Sequence, residues 1–254
     1  MDRLGEVDST QAVVHGWLAA GVREVAVAVA DVQTAGRGRL DRSWSAPSGT
    51  ALLLSAGFRP TGLAATHAWR LAATVALSML EAGEAAAGRS ERVLWLKWPN
   101  DLVALGPDGR PLKLAGVLGE TVFGPSGSVV KAVVGIGVNA DWAAADFPPE
   151  LAPSMTSLRE VSGGRRVDRD ALLEGFLARL EPRYVALREG RFDVGGWSSR
   201  QLTTGRRVEV VAGAERLAGI ALGVAPESGA LRLELPGGAV REVDSGEVTR
   251  CRVV

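Results

Sequence analysis

From Val93 to Val138 the chain sets apolar runs against turn chemistry in a way that restricts the folds open to it. Val93-Leu94-Trp95-Leu96 reads as a short buried strand, Lys113–Val122 as the next and Ser128–Val138 as another. Pro107-Asp108-Gly109 and Gly124-Pro125-Ser126-Gly127 punctuate them as turns. Parallel neighbours need a long crossover, usually a helix, whereas tight turns join antiparallel ones. The expected fold class is therefore α/β (α+β): a mixed, largely antiparallel sheet with flanking helices. A doubly wound dinucleotide fold is disfavoured.

The rest of the chain supplies the helices. Asp8-Ser9-Thr10 stands before apolar positions Val13, Val14, Trp17 and Leu18, a helix face preceded by good N-cap residues. Val25–Ala30 and Ala51–Phe58 read as strands, and Trp69–Leu80 is apolar nearly all round, as a buried helix is. Asp168 opens a helix carrying Leu172, Leu173, Phe176, Leu177 and Leu180, which Pro182 is expected to bend. From about Leu202 the texture becomes alternating and Gly/Pro-punctuated, predicting a small all-β unit, a compact barrel. Two domains are expected, residues 1–201 and 202–254.

Of the 254 residues 46% are hydrophobic, enough for a sizeable core. Lysine plus arginine and aspartate plus glutamate number 29 each, so no global field draws the chain to nucleic acid or anionic lipid. The single cysteine, Cys251, excludes an internal disulfide and a cysteine-rich metal site. With neither a signal-peptide pattern nor an apolar run of spanning length, the expected location is the cytoplasm.

Chemistry gathers elsewhere. Gln33-Thr34-Ala35-Gly36-Arg37-Gly38-Arg39 follows a strand, with two glycines permitting close backbone approach and two guanidinium forks suited to carboxylate and phosphate oxygens. Lys97-Trp98-Pro99-Asn100-Asp101 caps an apolar strand, with Asn100 and Asp101 after Pro99 reading as turn formers. Lys113-Leu114-Ala115-Gly116 sets a lysine at a strand entrance, and Gly135-Ile136-Gly137-Val138-Asn139 weakens a strand unless a flat or bulky ligand lies on it. His15 and His67 sit in helical patterns without a metal-ligating cluster around them, and there is neither a serine elbow nor a Walker-type loop. An enzyme built this way works by charge and positioning.

These four segments, in this order, resemble the biotin protein ligases, and the resemblance extends from Asp8 to the C-terminal β unit. It implies a catalytic domain related to class II tRNA synthetases followed by a small SH3-like β-barrel. It implies ATP and biotin as substrates with Mg2+, no resident metal, and a biotin carboxyl carrier protein as acceptor. On the biotin side it implies Ser9, Thr10, Gln11, Gln33, Gly38 and Gly116. It assigns Arg37, Gly38, Arg39, Trp44, Lys97, Asn100 and Asn139 to ATP and the adenylate, with Lys113, Arg37 and Arg39 as the catalytic cations and Asp101 as their support.

Three departures qualify it. Leu40-Asp41 stands where many relatives place a further Gly or basic residue. Position 11 is Gln where some have Asn. Few residues precede Asp8, leaving no room for the helix-turn-helix of relatives that repress transcription. The expectation is a monofunctional ligase, a monomer or weak homodimer, without DNA or membrane as a partner. A lipoate ligase shares the acyl-adenylate logic, and a non-enzymatic nucleic-acid binder is disfavoured by balanced charge and few aromatics.

Overall fold

The computed structural model describes residues 1–252; Val253 and Val254, which end the expected second domain, lie outside the described residues. Seven strands form the larger sheet: β1 (Asp2–Val7), β2 (Ala26–Gln33), β3 (Ala51–Phe58), β4 (Leu94–Lys97), β5 (Asp101–Leu105), β6 (Pro111–Phe123) and β7 (Val129–Asn139). Their order is β1-β2-β3-β7-β6-β5-β4. Only β1 and β2 are parallel, joined through helix α1 (Thr10–Ala19), and every other pair is antiparallel.

All eight residues of β3 are buried, because both faces of the sheet are covered at its centre. On one face lie α2 (Trp69–Ala86) and α4 (Arg169–Arg188), packing Leu71, Val75, Met79, Leu172, Phe176 and Leu180 against the strands in a single core. On the other face α1, only ten residues long, buries Val14 and Leu18 against Ala28 and Val133. A helix of that length spans about 15 Å. The sheet beside Gly116, Gly135 and Gly137 is left for a cavity.

Two short helices, α3 (Leu158–Val161) and α5 (Val194–Ser199), lead to a second sheet of β8 (Arg207–Ala212), β9 (Glu215–Val224), β10 (Leu231–Glu234), β11 (Val240–Val243) and β12 (Glu247–Arg252). Its order is β11-β10-β9-β8-β12, antiparallel throughout. Among the described residues no ladder joins β11 to β12, so the expected closed barrel is an open sheet. Trp98, 3% exposed, fills its core with Val208, Val210, Leu231, Leu233 and Val248. The sheet thus closes its own apolar face around a tryptophan contributed by its neighbour.

Three strands depart from the sequence reading. β1 is an edge strand whose residues are mostly exposed, so it carries no alternation. β5 begins at Asp101, inside a stretch that reads as turn, and β12 ends an alternating region in which the sequence marks no separate strand at that place. Pro182 lies inside α4, which runs unbroken from Arg169 to Arg188, its second half held by the buried Leu180, Tyr184 and Leu187.

Candidate active site

The loop between β2 and β3 is a small hairpin. Trp44 N donates to Gly36 O at 2.9 Å, Gly38 N to Arg42 O at 2.6 Å, and Arg37 bridges Ser43. Its two central residues, Leu40 (φ 56°) and Asp41 (φ 58°), are both in the left-handed region, as a type I′ turn demands. Aspartate tolerates that conformation; leucine does so at a cost. A Cβ on Gly36 would come within 2.3 Å of Trp44 O, so glycine is obligatory where the hairpin closes.

The hairpin roofs a cavity of about 900 Å³ over the open face of the large sheet, closed on the far side by β12 and the segment around Pro153–Met155. Ser9, Thr10, Gln11, Gln33, Arg37, Gly38, Arg39, Trp44, Lys97, Asn100, Lys113, Gly116 and Asn139 all line it. Residues from five separated sequence segments are therefore brought to one place. That volume is ample for a small-molecule site.

At the α1 end, Ser9 precedes the helix but makes no side-chain capping bond. Instead Gln33 Oε1 accepts from Thr10 N (2.8 Å) and Thr10 Oγ1 (3.0 Å), and the Thr10 hydroxyl also meets Ser55 Oγ at 2.8 Å. Gln11 Nε2 donates to Leu118 O at 3.1 Å. Thr10 and Gln33 thus hold each other in place, while Ser9 lines the cavity without a capping bond.

At the opposite end a carboxylate organises two lysines. Asp101 Oδ1 lies 2.7 Å from Lys113 Nζ, and its Oδ2 lies 3.9 Å from Lys97 Nζ. Lys113 also stands 5.5 Å above the Trp44 ring, within cation–π reach. The Asn100 amide donates to Val117 O (2.9 Å) and that of Asn139 to Thr156 O (3.0 Å), so both amide nitrogens are held by backbone and the carbonyl oxygens remain for a ligand.

What lies on β7 at Gly137 is the flat side chain of Trp44, where the sequence reading expected a ligand. A Cβ on Gly137 would fall 2.4 Å from Trp44 Nε1, and one on Gly116 3.4 Å from Trp44 Cζ3. The Trp44 indole nitrogen is buried there without a hydrogen-bond partner. The strand glycines anticipated from sequence therefore make room for a side chain of the loop.

Loop and C-terminal sheet are joined at the rim. Arg39 Nη1 donates to Gly246 O at 3.0 Å, and Arg42 makes two bonds to Glu247, at 2.8 and 2.6 Å. Hydrogen bonding to Arg42 holds the Glu247 carboxyl below the ordinary glutamate range, while burial draws Arg39 below the ordinary arginine value. Burial also pushes the Cys251 thiol up. Sequence reasoning missed the rim glutamate, Ser55 and the role of Trp98, whose Nε1 donates to Gly229 O at 3.0 Å. The motif around Trp98 had marked the segment as important without showing that its tryptophan belongs to the other sheet's core.

The cavity's charge is lopsided. Six arginines (37, 39, 42, 110, 250, 252) and two lysines (97, 113) line it against Asp101, Glu150 and Glu247, in a chain of zero net charge. Such a lining favours polyanions. Among the described residues there is no group of acidic, histidine or cysteine side chains able to hold a metal ion, and no helix long and apolar enough to cross a membrane.

Known proteins share this arrangement. The profile of the "Biotin protein ligase C terminal domain" matches residues 203–249. The biotin–[acetyl-CoA-carboxylase] ligase of Mycobacterium tuberculosis is 32% identical, covering 99% of this chain and 89% of that protein. The bifunctional ligase/repressor BirA of Bacillus spizizenii is 33% identical over 70% of this chain, and the match spans about half (51%) of that protein's length. The biotin protein ligase of Aquifex aeolicus, solved with biotin and ATP, superposes with a TM-score of 0.77 at 30% identity, covering 100% of this chain and 98% of that one. With the profile of the biotin/lipoate A/B protein ligases matching residues 4–139, across the strands, loop and lysines that build the cavity, the chain belongs to that family.

Proposed function

We propose that this chain is an ATP-dependent biotin ligase that makes biotinyl-5′-AMP and passes the biotinyl group to a lysine of a biotin carboxyl carrier protein. The observation that carries this reading is the single cavity in which Arg37, Arg39 and Lys113 gather over an open sheet face, with the polar Ser9, Gln11 and Gln33 at its other end. A carboxylate and a triphosphate repel each other, and these cations offset the repulsion.

In the first step a biotin carboxylate oxygen attacks the α-phosphorus. The bond to the β-phosphate oxygen breaks, and pyrophosphate leaves with the electron pair. In the second, the neutral amine of the acceptor lysine attacks the anhydride carbonyl; the carbon–oxygen bond to AMP breaks and the amine's proton passes to water. Both nucleophiles are substrate groups, so the protein contributes orientation, charge and exclusion of water. Mg2+ enters with ATP as part of the substrate; the Asp101 and Glu247 carboxylates in the cavity are already paired with Lys113 and Arg42.

By this reading Ser9, Thr10, Gln11, Gln33, Gly38 and Gly116 form the biotin end, and Trp44, Lys97, Asn100 and Asn139 with the loop arginines form the nucleotide end. Thr10 acts there chiefly by fixing Gln33. Residues 1–201 would be the catalytic domain and 202–254 the C-terminal domain, which supplies β12 to the cavity wall. We further propose a cytoplasmic monomer or weak homodimer without DNA binding: clustered arginines serve the cavity, and at the rim Arg42 is paired with Glu247 and Arg39 with the Gly246 carbonyl. Strong, salt-sensitive retention of operator-like DNA would contradict that part.

Lipoate ligation would use the same chemistry, but the matched C-terminal profile and relatives favour biotin. Incubation with MgATP, biotin and a carrier domain should add one biotinyl group to one lysine by mass spectrometry. Lipoate in place of biotin should add nothing.

A further inference from the structure

One carboxylate outside the cavity lining joins three elements around it. Glu120 of β6 places Oε1 2.9 Å from Arg37 of the ligand loop and Oε2 2.6 Å from Nε2 of His15 on α1. Alternate residues of a strand share a face, so Gly116, Leu118 and Glu120 follow one another along β6 toward the rim. Gly116 and Leu118 line the cavity. Helix α1 runs beside them: Gln11 bonds Leu118 O, and His15, one turn on, meets Glu120. The wall of the cavity thus continues outward into a charged contact that catches the loop.

We propose that Glu120 is a positioning residue that fastens the ligand loop shut through Arg37, with His15 holding the second carboxylate oxygen so that the first faces the loop. The inference rests on the reading of Arg37 as a loop group that helps retain the adenylate. A long arginine side chain already held in place loses less freedom when ligand arrives. A loop tied to β6 on one side and to the C-terminal sheet on the other opens less often. The effect therefore belongs to ligand retention and to KM for biotin more than to kcat. The pair is partly exposed (51% for Arg37, 32% for Glu120), and such pairs are individually weak, so the expected change is about fivefold.

The test is a double-mutant cycle. With adenylate formed on the enzyme from biotin and MgATP, release into a chase should be about fivefold faster in Glu120→Gln than in wild type. Arg37→Ala should also speed it, and the double variant should release no faster than Arg37→Ala alone, because both act through one contact. His15→Phe should give a smaller change in the same direction. In the empty protein, the amides of Gly38 and Trp44 should exchange faster in Glu120→Gln while those of the β6–β7 ladder stay protected. Wild-type release from Glu120→Gln, multiplicative effects in the double variant, or unchanged loop exchange would each overturn the proposal. If wild type forms no adenylate, the functional reading fails, and the exchange measurement still judges the Glu120–Arg37 fastening separately.

Discussion

The floor of the cavity stands on strands β5 and β6 and on contacts that water does not reach, whereas its roof hangs from arginines that are largely in solvent. Beneath the floor, Trp98 is plugged into the C-terminal core, and the Glu84 carboxylate accepts from Val93 N and Leu94 N while taking both guanidinium nitrogens of Arg200. Glu84 is 7% and Arg200 8% exposed. At the roof the Arg42 side chain is 63% exposed where it meets Glu247. A buried, fully bonded network cannot lose one member without stranding a charge, so it fixes the segment leading into the second sheet against α2 and β4, while Trp98 joins the two sheets directly. An exposed pair can be exchanged for water at little cost. The same two sheets are therefore joined once permanently and once releasably, and the releasable joint lies at the rim of the cavity.

Several substitutions would break or sharpen that contrast. Trp98→Ala strikes the permanent joint: it empties the C-terminal core and should destabilise the protein by about 3–5 kcal/mol, read by denaturant unfolding. A loss under 1 kcal/mol would mean that the second sheet holds its core unaided. Lys113→Ala removes a cation from the floor, which under the proposed function stands at the reacting phosphate. Adenylation measured by pyrophosphate exchange should slow by roughly 10²–10³ with the unfolding midpoint nearly unchanged.

Effects at the roof should be smaller. Leu40 is 68% exposed with a left-handed backbone, so Leu40→Gly relieves strain without losing packing and should stabilise by up to ~1 kcal/mol. A lower melting temperature would show that Leu40 makes contacts worth more than its strain. Smallest is the acid response of the latch. Because Arg42 holds the folded Glu247 carboxyl below its ordinary value, the stabilisation is present above that ordinary value, about 4.3, and is lost as pH falls through the lowered one. Exchange of the Gly38 amide, corrected for its intrinsic rate, should rise in that acidic window in wild type and stay flat in Glu247→Gln.

Legibility in the sequence followed the same division. The antiparallel course of β6 and β7 was readable because Gly-Pro-Ser-Gly leaves no crossover, and β3 was readable to its end residues as an unbroken apolar run. The Asp168 cap was readable because aspartate bonds the first helical amides locally, here those of Asp170 and Ala171. Edge strand β1 was not: with one side in solvent and charges along it, nothing in its pattern distinguishes it from a loop. Asn100-Asp101 looked like a turn, and the turn is there, but Asp101 also begins a strand.

The residue types of the site were determined by the sequence: two guanidinium forks on a glycine hairpin, a lysine at a strand entrance, and strand glycines that could only be paid for by something flat. These are local properties, carried by side-chain chemistry and backbone freedom over a few positions. What the flat group is, which carboxylate pairs with which cation, and which sheet owns Trp98 are questions about residues far apart in the chain. Arg42 meets Glu247 across 205 positions and Trp98 meets Gly229 across 131. Only the tertiary fold could settle them, because a strand or helix pattern tells which face is apolar but not which distant face it will meet.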